Sequence, residues 1–163
     1  TFRVGPNPIL KINHNYLRPM FSKACQYAIR ATVLIAMESR KGRRMSLVEI
    51  ADRTGSPQAF TAKILQQLAR EGILVSTKGP HGGFDLPPAM AKKLKLNRVV
   101  KAMDGDEVYR GCGMGLPQCN AKKPCPLHDH FQQVRNDLRT MLETTDVHAL
   151  SLDLEQGKAV LKR

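Results

Sequence analysis

Residues 46–86 constrain the fold more tightly than any other stretch of the chain. Ser46 and Glu49 make the pattern S-x-x-E, in which hydroxyl and carboxylate each satisfy an amide left unpaired where a helix begins. A short helix therefore runs from Ser46 to about Arg53. Thr54-Gly55 turns the chain, since glycine adopts the left-handed conformation without steric penalty. Ser56 is the expected N-cap of a second helix, and Pro57 takes its first position, where a missing N–H is harmless. That helix extends to about Glu71 and stops at Gly72. Phe60, Ile64, Leu65 and Leu68 form its apolar stripe, leaving Ala59, Ala62, Lys63, Gln66 and Arg70 outside. Two helices across a tight glycine turn follow the helix-turn-helix plan. Next comes ILVSTKGPHGGFDL, with β-prone runs at Ile73–Thr77 and Phe84–Leu86 around the turn residues Gly79–Gly83. It predicts a hairpin, and a hairpin directly after the second helix is a wing. The expected fold class is mainly α with a small β-hairpin wing.

Charge says what such a unit would meet. Lys and Arg number 26 against 14 Asp and Glu, a formal net charge of +12, which favours a polyanion, nucleic acid first. The N-terminal end of a reading helix points at base edges, which here means Gln58, Ala59, Thr61, Ala62 and Lys63. Small residues permit close approach, Gln58 and Thr61 can hydrogen-bond to bases, and Lys63 can take a guanine or a phosphate. Arg43, Arg44, Arg53 and Lys78 are expected at phosphates. Lys78, His81 and Gly82 form the wing tip, and Ser46 completes the expected interface. No apolar run approaches the ~20 residues that span a bilayer. Residues 1–20, broken by Pro6, Pro8, Arg18 and Pro19, lack a signal-peptide core. There is neither a P-loop nor G-x-G-x-x-G. A cytoplasmic DNA-binding protein is expected, with no membrane, no small-molecule substrate and no enzymatic activity.

The rest of the chain divides around this unit. Residues 1–19, with three prolines, three cations and no acid, read as a flexible arm or upstream extension, and His14 within them has no assigned role. Residues 20–90 form the winged helix-turn-helix. They include a first helix capped by Ser22, with Ala24, Ala28, Ala31 and Ile35 at helical spacing, ended by SRKGRR at 39–44. Pro87-Pro88 break the chain. Residues 91–104 form a connecting helix, helical from about Asn97 to Met103 and stopped by Gly105. Residues 105–126 hold four glycines, three prolines and three of the four cysteines, and form a loop. Residues 126–145 are a dimerisation helix: Leu127, Phe131, Val134, Leu138 and Met141 step by 4, 3, 4 and 3, an a/d seam. That seam is short for a free coiled coil and suits a second copy of the chain; the alternative is a helix folded onto its own domain. Residues 146–163 are a tail without clear assignment.

The cysteine loop carries the second chemistry. The spacing is Cys112-x6-Cys119-x5-Cys125-x2-His128. Three thiolates and an imidazole make four ligands for zinc or an iron–sulfur cluster. The paired C-x2–4-C knuckle of a zinc finger is missing, and long glycine-containing intervals suit a loop wrapping a cluster. His130 could replace His128, though it sits about 200° round the helix from it. Three reduced surface thiols are the remaining alternative. Cys25 stands apart inside an apolar helical pattern and is expected to pack as a small hydrophobe.

YAIRA at 27–31, SLVEIADRTGSP at 46–57, ILQQLAREGILVSTKGPHGGFDL at 64–86 and VVKAMDG at 99–105 resemble the IscR/NsrR/CymR family of bacterial winged-helix regulators, the Rrf-two family. The likeness covers about residues 20–145, and CPLH at 125–128 is similar to the C-x2-H of its IscR-like members. The resemblance implies a homodimeric transcription regulator, usually a repressor, on a palindromic double-stranded operator with half-sites about one helical turn apart. It also implies a 2Fe–2S cluster on Cys112, Cys119, Cys125 and His128, of a kind that aerobic handling often strips. Three departures matter. The first cysteine interval is six residues where IscR has five. NsrR-type members hold 4Fe–4S with a carboxylate from the N-terminal helix, and Gln26 stands at that place here, favouring 2Fe–2S over 4Fe–4S. The family's DNA-contacting glutamate is replaced by Ala62, with Lys63 next.

Overall fold

A computed structural model describes residues 20–162; the expected arm at 1–19, with His14, lies outside the described residues. The elements in order are α1 (Lys23–Arg40), α2 (Leu47–Thr54), α3 (Gln58–Arg70), β1 (Val75–Thr77), β2 (Gly83–Asp85), α4 (Pro88–Lys93), α5 (Leu96–Asp104), a single 3-10 turn at Glu107–Tyr109, α6 (His128–Thr144) and α7 (Val147–Glu155). The architecture is helical with one two-stranded antiparallel hairpin, as expected from the sequence.

α1 is the centre of the core. The Ser22 hydroxyl caps it by accepting from the Cys25 amide at 3.1 Å. Every side chain from Ala31 to Glu38 is buried, so the helix is enclosed on all sides. Leu34 and Ile35 meet Ile50 of α2, Leu65 and Leu68 of α3, Val99 and Val100 of α5, Leu142 of α6 and Val147 of α7 in one cluster. Each such leucine or valine contributes about 1.5–3 kcal/mol by leaving water. Cys25 is fully buried in the same cluster, as expected. Burial, with Asp104 beside it, pushes its thiol up to about 12, so it is inert at neutral pH.

The helix pair follows the sequence closely. The Ser46–Glu49 capping box is complete, and Gly55 ends α2 in the left-handed conformation. One expectation fails: Ser56 is not the N-cap of α3. Pro57 occupies that position without a side-chain cap, and the buried Ser56 hydroxyl accepts instead from Thr61 Oγ1 at 2.8 Å.

The hairpin is shorter than the β-prone runs. It pairs Val75 with Asp85, Ser76 with Phe84 and Thr77 with Gly83. Ile73 and Leu74 are buried connectors rather than strand. Met45 pairs with Phe84 from the other side, through main-chain bonds of 3.0 and 2.9 Å. The wing is thereby tied to the segment that opens α2. Gly82 is needed for sterics: a Cβ there would press on the main-chain oxygens of Thr77 and Gly79.

Two helices were not expected. Pro88 begins α4 rather than breaking the chain, because proline suits the first turn of a helix. The tail is ordered as α7, capped by Asp146, whose carboxylate accepts from the Ala149 amide at 2.7 Å. α7 packs along α1, and Glu155 at its end pairs with Arg40 at 2.9 Å. The loop at 105–126 contains the 3-10 turn but no other helix or strand.

Candidate functional site

The exposed face of α3 presents Gln58, Ala59 and Lys63, with Ala62 half-buried beside them. Thr61 does not join them. It is 2% exposed and donates to Ser56 Oγ and to the Pro57 carbonyl. Its hydroxyl therefore locks the start of α3 from inside, and the expectation of a base contact there is corrected. Lys78 and His81 are exposed at the wing tip, with Gly82 between wing and turn. Ser46 is exposed, with its hydroxyl engaged in the capping box.

Two of the expected phosphate cations are held in ion pairs. Arg53 Nη1 and Arg43 Nε each lie 2.8 Å from the buried Glu38 carboxylate, and Arg43 Nη1 reaches Glu49 at 2.6 Å. This cluster joins the end of α1 to both ends of α2. Arg44 is freer, 3.8 Å from Asp85.

Burial works to raise the Glu38 carboxyl, but hydrogen bonds from Arg53 and Arg43 outweigh it and hold the group below its ordinary range. The Ser46 amide and the Arg43 guanidinium draw Glu49 down to about 2. Both folded-state values lie below the unfolded ones. The stability these carboxylates contribute is therefore complete above the ordinary carboxyl range and lost as pH falls through the folded values. Glu38→Gln is expected to cost about 2 kcal/mol at neutral pH, below the full cost of breaking a buried pair because both arginines are partly solvated. It should also flatten the acid limb of the melting curve below about pH 4.5. Urea unfolding at pH 7 and pH 4 checks both; equal stability of variant and parent at pH 7 would remove the cluster's structural role.

The cysteine loop leans on the start of α6. Cys119 Sγ lies 3.4 Å from His128 Nδ1, and His128 is only 8% exposed. The main-chain amides of Met114 and Leu116, with smaller contributions from the Cys125 side chain and the Gly115 amide, hold the Cys112 thiol below its ordinary value. Of the four expected ligands, Cys119 and His128 are in contact. Among the described residues no three His, Cys, Asp or Glu side chains are close enough to hold a metal ion. His130 is exposed on α6, and Gln26 donates its amide to the Phe21 carbonyl at 2.9 Å.

One residue the sequence did not single out ties this loop together. Arg135, two turns along α6 from His128, reaches Cys119 Sγ at 3.2 Å and the Gly111 carbonyl at 3.1 Å. With Arg110 and Arg139 it rims a cleft of about 660 Å³ that also touches Cys112, Cys119 and His128. Soft thiol donors, an imidazole and a cationic rim suit an anionic iron–sulfur group.

A separate stripe of α6 is apolar and uncovered. Leu127, Val134 and Met141, spaced by seven, are 43, 55 and 45% exposed, whereas Leu138 packs against the core and Phe131 lies against Gly113 of the cysteine loop.

The profile of Rrf2, described as an iron-dependent transcriptional regulator, matches residues 21–152. This chain belongs to the Rrf2 family. Transcriptional regulation is therefore its class of function, and its relatives are regulators rather than enzymes. The IscR regulator of Vibrio atlanticus is 25% identical over 130 residues, covering 80% of this chain and 73% of that protein. The IscR of Pectobacterium atrosepticum is 23% identical over 125 residues, covering 77% and 74%. Among solved structures, CymR, the global cysteine regulator of B. subtilis, superposes with a TM-score of 0.66 at 14% identity, over 81% of this chain and 95% of that one. T. potens IscR gives 0.62 at 16% identity, over 85% and 90%. Those likenesses show the winged-helix fold. The Rrf2 match ends inside α7, so the chain from 153 onward lies beyond it. No helix among the described residues is long and apolar enough to cross a membrane.

Proposed function

We propose that this Rrf2 regulator is a homodimer that binds a palindromic operator and whose affinity for it is set by an iron–sulfur cluster, 2Fe–2S in preference to 4Fe–4S, on Cys112, Cys119, Cys125 and His128. The observation that carries this reading is the Cys119–His128 contact at the base of α6, on a helix that exposes Leu127, Val134 and Met141 along a separate stripe. One helix thus faces both the ligand loop and a second copy of the chain.

When bound, such a cluster supplies a labile, redox-active anionic group. The chain's own residues do the rest. Arg135 bridges the loop at Gly111 and Cys119, and Phe131 fills the space beside Gly113. The order of the loop is therefore coupled to α6. α6 packs on α5 and α5 on α3, where Gln67 of α3 donates to the Ala102 carbonyl. A change in the loop reaches the reading helix through that path, and DNA affinity changes to the extent that the loop's states favour different dimer geometries. Gln58, Ala59, Ala62 and Lys63 face the bases, while Arg44, Lys78 and His81 face the backbone.

Iron and acid-labile sulfide on protein purified without oxygen, followed by operator binding before and after chelation, tests the reading. About two irons and two sulfides per chain are expected, with a change in affinity on their removal. Iron-free, folded protein under those conditions would overturn it. A second reading is a zinc-bound or cluster-free regulator switched by a partner or by thiol oxidation. The Cys112 thiol, held below its ordinary value and so more readily ionised and oxidised, favours it; zinc, or a disulfide within the cysteine loop formed with loss of DNA binding, would be its signature.

A further inference from the structure

The segment that follows α7, through Lys162, lies against the helix-turn-helix. After α7 the backbone turns at Gly157, and the amide of Lys158 donates to the Asp153 carbonyl at 2.9 Å. Leu161 is partly buried against the core. The next side chain, Lys162, runs over the glycine that joins α2 to α3: its Cδ and Cε lie 3.7 Å from where a Cβ on Gly55 would stand. Arg30 of α1 faces the same place. Its guanidinium stacks on the Tyr27 ring at 5.5 Å, and Tyr27 packs edge-on against Phe60 of α3 at 5.9 Å. Arg30, Thr54, Gly55, Val160, Leu161 and Lys162 line an open cleft of about 680 Å³. Among the described residues neither Arg30 nor Lys162 has a carboxylate partner. Arg43 and Arg53, the cations that sequence alone puts near this turn, are both tied to Glu38.

We propose that Lys162 and Arg30 form a DNA-backbone contact of their own, a two-cation seat for a phosphate at the wall of the groove that α3 enters. The proposal rests on the reading of α3 as the helix that enters the major groove. Gly55 stands three residues before Gln58, the first residue of α3. The N-terminal end of a reading helix is the end nearest the bases, so the turn that precedes it stands beside the phosphates that border the groove. Phosphate contacts position a protein without reading sequence. Lys162 lies outside the Rrf2 match, so this contact is an addition made by the chain's own C-terminal segment. The glycine at 55 gives the left-handed turn that brings this backbone under the aliphatic part of Lys162.

The test uses the full chain and a fluorescent random-sequence duplex of about 30 base pairs, with Kd measured across a range of KCl. Each phosphate contact contributes about 0.9 to the slope of log affinity against log salt. Lys162→Gln and Arg30→Gln are each expected to lower the magnitude of that slope by about 1–2 for a dimer with two copies of the contact, and to weaken binding several-fold at low salt. Lys123→Gln, which removes the same charge from the exposed cysteine loop, should leave the slope unchanged. A slope unaltered in Lys162→Gln and Arg30→Gln would overturn the proposal while leaving the DNA reading intact, and so would an equal fall in Lys123→Gln, which would mark a general charge effect. No binding by the parent at any salt concentration would remove the DNA reading and this proposal together. Acylation of Lys162 separates the possible anions: the duplex should protect it, and protection by inorganic phosphate alone would make this a free-anion site and overturn the backbone contact.

Discussion

Cys119→Ala is expected to yield a folded dimer that contains no iron and no sulfide. Cys119 stands where the two supports of the loop meet, its sulfur 3.4 Å from His128 Nδ1 and 3.2 Å from Arg135. Its removal leaves three ligands for a group that needs four. The fold should be indifferent to the change. No side chain from residue 105 to 127 is buried, so truncating a thiol to a methyl in that loop should alter stability by less than about 0.5 kcal/mol. Cys25→Ser is the matched control. Cys25 is fully buried in the core and far from the loop in role, so its replacement should lower the melting temperature and leave cluster content untouched. Visible absorption and iron analysis on anaerobically purified protein, with a thermal melt for each variant, read both effects. Full iron in the Cys119→Ala protein would remove Cys119 from the ligand set.

Much of the fold was legible because local signals agreed with one another. The capping box, Gly55 and Gly72 place α2 and α3 within a residue or two. The Gly79–Gly83 run places the wing, since only glycine fits between the main-chain oxygens that face Gly82. What escaped did so for identifiable reasons. Pro88 reads equally as a breaker and as the first residue of a helix, and the following PAMAKK is too short to show a period. α7 had a signal: Asp146 as cap, then Val147, Leu150, Ser151 and Leu154 at helical spacing. Thr61 falls on the same face as Ile64, Leu65 and Leu68, so the spacing that defined the apolar stripe also predicted its burial. The interface cations were harder. That Arg43 and Arg53 are bound to Glu38 follows from how α1 crosses α2, which no local pattern encodes; one acid in a wholly buried run of α1 was the only hint. The cysteine loop was legible as a loop, but not the meeting of Cys119 with His128, nor Arg135, which reads in sequence as one more surface cation.

Val134→Asp is expected to convert the dimer to monomers and to weaken operator binding by a factor on the order of 10² to 10⁴. Val134 is 55% exposed and lies between Leu127 and Met141 on one stripe of α6, so a carboxylate there is solvated in the isolated chain and leaves its fold unchanged. In a two-fold dimer through this stripe the same side chain meets its own copy. Two carboxylates would be brought together out of water without a partner, which costs several kcal/mol, and each 1.4 kcal/mol is tenfold in the dimer constant. The effect on DNA is larger than any single lost contact. A dimer presents its second α3 to the second half-site at high effective concentration, and a monomer loses that advantage entirely. Sedimentation equilibrium of parent and variant, with a melt to confirm that both are folded, separates the two roles α6 could have. A monomeric parent, or a variant that stays dimeric with unchanged affinity, would assign the stripe to something other than a second copy of the chain. A dimeric parent and a folded monomeric variant would establish that α6 joins the two reading heads.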